Sequence, residues 1–237
     1  MLHSYVYMLF VLFLLWIWFV IRYLRKDLRR ILWKTSVMWG LTGLIAEFWY
    51  FKDYRHPPSV LWHAVVSFED FLFGFCITGI SASLYDLLFT ADRISYPRSY
   101  RYLIGVFFVA GVVMMLVFNN LLGFNSIFVS SFAFLLFAVL MICLRKDLLI
   151  PSLSSGILVV LLIIPIYMFF FNYIAPDYRN AYGLMTYHKF GNTVLGNIPF
   201  TELLWYFTWA CFAGIAYDFA SGKQKVTKSS SSMRFKP

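Results

Sequence analysis

The sequence predicts an all-α polytopic membrane protein, with about seven transmembrane helices arranged as two parallel three-helix repeats plus a linking helix. Three observations predict it. Of the 237 residues, 61% are apolar and only 13% are charged, well below the ~25% charged residues usual for soluble domains. The apolar residues also fall in runs of about 20, the length a helix needs to cross hydrocarbon while satisfying its own backbone. Finally, a short motif and a longer helical pattern each recur, in the same order, in the two halves of the chain.

The spans are expected at 4–23, 31–51, 66–90, 102–123, 126–143, 150–174 and 199–220. The first lacks a basic leading region and a small-residue cleavage site, so it reads as a retained helix and not as a signal peptide. The third and sixth are longest and have room to tilt. The fourth and fifth are joined tightly through Gly123 and Asn125. This gives one transmembrane domain, 1–220. Repeat half one covers about 4–90, the linking helix about 102–123 and repeat half two about 126–220. A basic, Ser-rich cytoplasmic tail, 221–237, is expected to be disordered.

The net charge of +9 would suggest nucleic acid on a soluble protein. Here the basic residues lie in loops, so they report topology and no nucleic-acid partner is expected. One side of the seven-span arrangement holds 16 of the 20 basic residues, from Arg22 to Lys34, Arg93 to Arg101, Arg145 with Lys146, and Lys223 to Lys236. The other holds Lys52, Arg55, Arg179 and Lys189. The positive-inside rule then puts the N-terminus outside and the C-terminus in the cytoplasm, in a bacterial or archaeal cell membrane. Cys76, Cys143 and Cys211 fall inside spans with no metal-ligand spacing and read as ordinary thiols.

The repeat is specific. Leu24-Arg25-Lys26-Asp27-Leu28 returns as Leu144-Arg145-Lys146-Asp147-Leu148. Phe68, Leu72, Phe75, Tyr85 and Asp86 match Phe200, Leu204, Phe207, Tyr217 and Asp218 at a constant spacing of 132 residues. Helices 1–3 would then correspond to helices 5–7. A shift of four helices preserves direction, so the axis lies along the membrane normal and a site is expected in a cavity between the halves.

Acids inside spans carry the functional signal, because one at mid-bilayer costs about 2.5–3.5 kcal/mol on insertion scales. Asp27, Asp92 and Asp147 lie in basic turns and are expected to pair locally. Glu47, Asp53, Glu69, Asp70 and Glu202 instead fall at one membrane level on the outer side, from three different helices. Neighbouring helical residues diverge by about 100°, so Glu69 and Asp70 do not both face one point. The competing account is first-turn capping and dipole pairing, which favours acids there. His56 and His63 sit in the same outer region, as surface residues or proton-exchange partners. Their spacing gives no metal site and no cofactor is implied. Tyr85 and Tyr217 read as interfacial anchors. No phosphate loop or dinucleotide fingerprint occurs. Neither does an Asp-rich diphosphate motif, nor a lysine between Glu202 and Asp218 for a retinal Schiff base.

Taken along nearly its whole length, the chain resembles the lycopene cyclase domain family of cofactor-independent membrane cyclases. The residues that carry the likeness are Gly196 to Leu204, reading Gly-Asn-Ile-Pro-Phe-Thr-Glu-Leu-Leu, and Ser67 to Phe73, reading Ser-Phe-Glu-Asp-Phe-Leu-Phe. The acidic-aromatic turn ending Asp53-Tyr54-Arg55-His56-Pro57-Pro58 and the Arg-Lys-Asp-Leu turn add to it. Ser67 stands where the family has Pro, and Thr201 where it has the first acid. The resemblance implies redox-neutral acid–base cyclisation of a linear carotene or similar isoprenoid entering from the bilayer. Glu69 or Glu202 would be the acid, and Asp70 or Glu47 the base or cation stabiliser. Aromatic faces in a cavity would steady a carbocation. The partners expected are the lipid bilayer and this apolar substrate, with a homo-oligomer left open. Two other readings stay open: a non-enzymatic lipid- or carotenoid-binding relative, and a small membrane transporter.

Overall fold

The computed structural model describes residues 2–55, 66–182, 192–196 and 198–227. Each of the seven expected spans falls on a long helix. These are α1 (Leu2–Leu24), α2 (Arg29–Asp53), α3 (Phe68–Phe89), α4 (Arg101–Met114), α5 (Ser126–Leu144), α6 (Leu149–Tyr167) and α8 (Phe200–Ser221). A short α7 (Tyr178–Tyr182) and a two-residue ribbon of β2 (Thr193–Val194) with β3 (Ile198–Pro199) precede α8. Helix α4 runs on as a π-turn, Met115–Leu121, and α6 as another, Met168–Ile174. In α6, Pro165 lies just ahead of the π-turn. It has no N–H to give the ladder and crowds the carbonyl four residues earlier, a known cause of local rewinding.

Among the described residues, five helical segments are long and apolar enough to cross a membrane: Tyr5–Leu24, Phe68–Phe89, Arg101–Leu121, Ser126–Leu144 and Lys146–Ile174. The chain is therefore a mostly helical, membrane-integrated protein. Helices α2 and α8 are long but more polar, and they pack among the others, α2 against α3 and α8 against α5 and α6.

Local chemistry sets the helix ends. Ser67 caps α3 in a capping box with Asp70, which satisfies two donors that the first turn leaves open. Asn125 caps α5 through the Ile127 amide. Gly222 ends α8 in the left-handed region, with φ 63°, a conformation that costs glycine nothing. The two Lys-Asp-Leu turns are both single 3-10 turns, and the arginine before each has a similar backbone, φ −122° and ψ 88° at Arg25 against φ −143° and ψ 90° at Arg145. Each arginine then reaches the end of a central helix. Arg25 donates to the Asp86 carbonyl at 2.7 Å and Arg145 to the Asp218 carbonyl at 2.8 Å, so guanidinium charge meets the negative end of α3 and of α8.

Helices α3 and α8 form the centre. Close approach to their neighbours depends on small residues. A Cβ on Gly79 would lie 2.3 Å from Ser36 Oγ of α2, and one on Gly156 of α6 would lie 2.6 Å from Cys211 Sγ of α8.

The expected tail corrects in part. Residues 221–227 are ordered. Ser221 closes α8, and β4 (Lys223–Thr227) pairs antiparallel with β1 (Thr90–Ser95), Arg93 opposite Lys225. The reason is chemical. The Lys225 side chain is buried because Asp86 and Asp218 supply its counter-charge, so the basic strand folds back instead of remaining solvated. Residues 228–237, His56, His63 and Lys189 lie outside the described residues.

Candidate functional site

The first turns of α3 and α8, the last turns of α2 and the residues following it meet over a chamber of about 140 Å³. Its walls come from α2, α3, α4, α5 and α8. Most of them are apolar and aromatic, including Trp39, Phe73, Phe134, Trp205 and Trp209. Glu47, Asp70 and Glu202 all line it, together with Tyr54 and Arg55. Three of the four expected site acids thus share one space.

The three acids are held differently. Asp70 is 5% exposed and its oxygens are engaged. Tyr7 Oη donates to Oδ1 at 2.9 Å, while the Ser67 amide and hydroxyl donate to Oδ2 at 2.9 and 2.6 Å. The capping account is therefore correct for Asp70, although its side chain also faces the chamber. Glu202 accepts from Tyr54 Oη at 2.7 Å, and that hydroxyl lies 3.3 Å from Thr201 Oγ1. Glu47 is 4% exposed, and its Oε1 has no hydrogen-bond partner among the described residues.

Glu69 is fully buried and lies outside the chamber lining. The 100° step from Asp70 turns it to another side of α3. Asp53 also departs from the cluster. Its carboxylate accepts from the Ser126 amide at 3.0 Å, from Ser126 Oγ at 2.5 Å and from the Asn119 side chain. It ties α2 to the start of α5, a structural role.

Arg55 was legible only as a loop charge. It stacks over Tyr7 and Phe73, at 5.4 and 5.5 Å from the ring centroids, which is cation–π range. Burial disfavours its charge, but Tyr7, Glu47, Glu202 and Asp70 more than offset this and hold its pKa well above that of a free guanidinium. Burial, reinforced by Glu202, likewise pushes the Tyr54 hydroxyl well above the ordinary phenol value, so Tyr54 serves as a donor. The only sequence signal for these two residues was their place in the acidic-aromatic turn next to Glu47.

At the opposite ends of α3 and α8 lies a second charged group. Arg93 bridges Asp86 and reaches Asp218 at 3.0 Å, and Lys225 reaches the same two carboxylates at 3.2 and 3.3 Å. Asp86 is fully buried and Asp218 nearly so. Tyr85 is buried beside Lys225, 5.1 Å from ring to ammonium, instead of anchoring at an interface. A signal existed in the sequence. Arg93 and Lys225 are spaced 132 residues apart, like Asp86 and Asp218. Asp27 and Asp147 pair with Arg25 and Arg145 as expected, and the hydrogen bond from Arg25 holds Asp27 below the usual carboxylate range. Asp92 accepts the Arg93 amide.

Among the described residues no cluster of His, Cys, Asp and Glu has metal-binding geometry. Comparison of the chain with protein-family models, with curated proteins and with solved structures gives no match.

Proposed function

We propose that the chain is a membrane-embedded acid–base cyclase of the lycopene cyclase type, acting on the end group of a linear isoprenoid. The observation that carries this reading is the meeting of Glu47, Asp70 and Glu202 with one guanidinium, Arg55, in an apolar aromatic chamber. A cavity near 150 Å³ is enough for a benzene ring, so about 140 Å³ suits an end group that closes to a six-membered ring while the rest of the chain stays in lipid.

Glu202 protonates the terminal double bond from its fixed position beside Tyr54. The next double bond attacks the resulting cation and closes the ring. Glu47, with an oxygen no group among the described residues occupies, removes a proton from the neighbouring carbon. One proton enters and one leaves, with no change of oxidation state. Trp205, Trp209 and Phe134 present π faces to the passing cation. Asp70 contributes charge and holds the start of α3. Thr201 is spaced 132 residues from Glu69, and neither lines the chamber. The pair that does line it at that spacing is Asp70 and Glu202, so the missing first acid takes nothing from the chamber.

In this reading all seven long helices cross the bilayer as two parallel repeats with α4 between them, N-terminus outside and C-terminus cytoplasmic. Arg93 and Lys225 stand opposite each other in the ribbon and each bridges both Asp86 and Asp218, as a two-fold axis along the membrane normal would require. The α2–α3 and α6–α8 contacts add support. Positions 36 and 156 are spaced by 120 residues and positions 79 and 211 by 132. At each crossing one member is glycine and the other a small polar residue, with the roles exchanged.

A second reading, a carotenoid- or lipid-binding protein without activity, is favoured by the full engagement of Asp70. The test is expression in cells that accumulate lycopene, with chromatographic separation of the pigments. Wild type should form cyclised product, and Glu47→Gln and Glu202→Gln should lose at least about 100-fold, the usual worth of a general acid or base. Well-expressed wild type that leaves lycopene unchanged would overturn the cyclase reading.

A further inference from the structure

The chamber has a second polar level away from the acids. Thr78 follows Asp70 by eight residues on α3 and Trp209 follows Glu202 by seven on α8. At 1.5 Å per residue both stand about 10–12 Å along the helices from the acid level. Both residues line the chamber, Thr78 fully buried and Trp209 5% exposed. Neither Thr78 Oγ1 nor Trp209 Nε1 has a hydrogen-bond partner among the described residues. Two other buried tryptophans do better. Trp18 donates to Ser36 Oγ and Trp205 to Tyr50 Oη, both at 2.9 Å.

A buried donor left unsatisfied is costly, and native proteins leave few of them. An indole N–H is a donor only, so its missing partner must be an acceptor, and a threonine hydroxyl can donate to the same atom. Apolar ring faces around this level, Trp39 and Phe212 among them, offer no acceptor. We propose that the ligand of this chamber carries an acceptor oxygen, ketone or hydroxyl, which Trp209 and Thr78 hold while the unsaturated hydrocarbon part lies against Glu47 and Glu202. This rests on the proposed function and narrows its substrate class, to oxygenated isoprenoids in preference to pure hydrocarbons.

The test uses the full chain in lipid nanodiscs with ¹⁵N-labelled indoles. It is titrated with geranylacetone and, separately, with 2,6-dimethylundeca-2,6-diene, the same skeleton without the oxygen. The Trp209 indole resonance is assigned by its loss in Trp209→Phe. The ketone should bind roughly tenfold tighter, as one or two buried hydrogen bonds would give, and should alone shift the Trp209 resonance. Thr78→Val and Trp209→Phe should each cut the ketone's advantage over the diene several-fold, a ratio in which any general change in the chamber wall cancels. Equal binding of the two probes, or an advantage that survives in both variants, would overturn the proposal, as would failure of the ketone to bind. The lycopene assay reads the chemistry separately. Ketone preference without ring formation keeps this inference and removes the cyclase, and ring formation without ketone preference does the reverse.

Discussion

Helices α3 and α8 carry buried charge at both ends, and the two ends are built on different arithmetic. Where the helices finish, two carboxylates, Asp86 and Asp218, face two cations, Arg93 and Lys225, and all four cross-contacts are made. Thr90 donates to Asp86 at 2.7 Å and Lys225 also donates to the Gly214 carbonyl at 3.0 Å. Where they begin, three carboxyls face one guanidinium among the described residues, and the space among them is open. A balanced, fully bonded cluster holds two elements together and has nothing left to offer a ligand. An unbalanced set with an unoccupied carboxyl oxygen can gain, lose or share a proton. Charge balance, more than the mere presence of buried acids, separates the structural end from the candidate reactive end.

The largest expected effect is at the balanced end. Asp218→Asn leaves the buried Lys225 ammonium and the partly buried Arg93 guanidinium on one carboxylate, and breaking a buried pair costs about 3–5 kcal/mol. Unfolding in detergent micelles should show a loss of that size. Combining it with Lys225→Met restores the balance and should recover most of it, because the penalty comes from the stranded charge. A double variant no more stable than Asp218→Asn would mean that the cluster acts through shape and not through charge, and the comparison would fail at this end.

The sequence made the two ends unequally legible. Helix positions followed from apolar run length, and the basic turns from the repeated Leu-Arg-Lys-Asp-Leu, because both signals are local. Glu47, Asp70 and Glu202 could be gathered at one level because depth along a helix counts residues. Whether a side chain at that level turns inward depends on helix rotation and packing. That is why Glu69 and Asp53 were grouped with acids they do not join. Arg55 and Tyr54 escaped because a loop has no period from which to read direction. The ordered strand after Gly222 was missed for another reason. A Lys-Gln-Lys-Val-Thr segment looks like a solvated tail until Asp86 and Asp218 are known to stand beneath it.

A middle-sized effect tests Asp70, which belongs to the open end by position and to the structural kind by bonding. Asp70→Ala removes one half of the capping box and the acceptor of the Tyr7 hydroxyl. A lost cap and a lost buried hydrogen bond together predict about 1–2 kcal/mol of destabilisation. Thermal unfolding of the purified protein checks it. A loss near that of Asp218→Asn would show that Asp70 neutralises Arg55 as a paired charge, and the outer set would then be less unbalanced than its count suggests.

The smallest effect is expected at Glu47. Glu47→Gln keeps the shape of the side chain and replaces a carboxyl with a neutral amide. No protein donor loses its bond to Oε1, since none is made among the described residues. One buried polar group replaces another of the same shape, so stability should stay within about 1 kcal/mol of wild type, the range of substitutions that break no network. The same variant is expected to lose turnover at least about 100-fold, so stability and activity should separate at this position. A loss of 3 kcal/mol or more in the unfolding measurement would put Glu47 in the same class as Asp218. The open end would then be a second structural cluster with a void beside it, and the carboxyl that the proposed chemistry needs would already be committed to holding the fold.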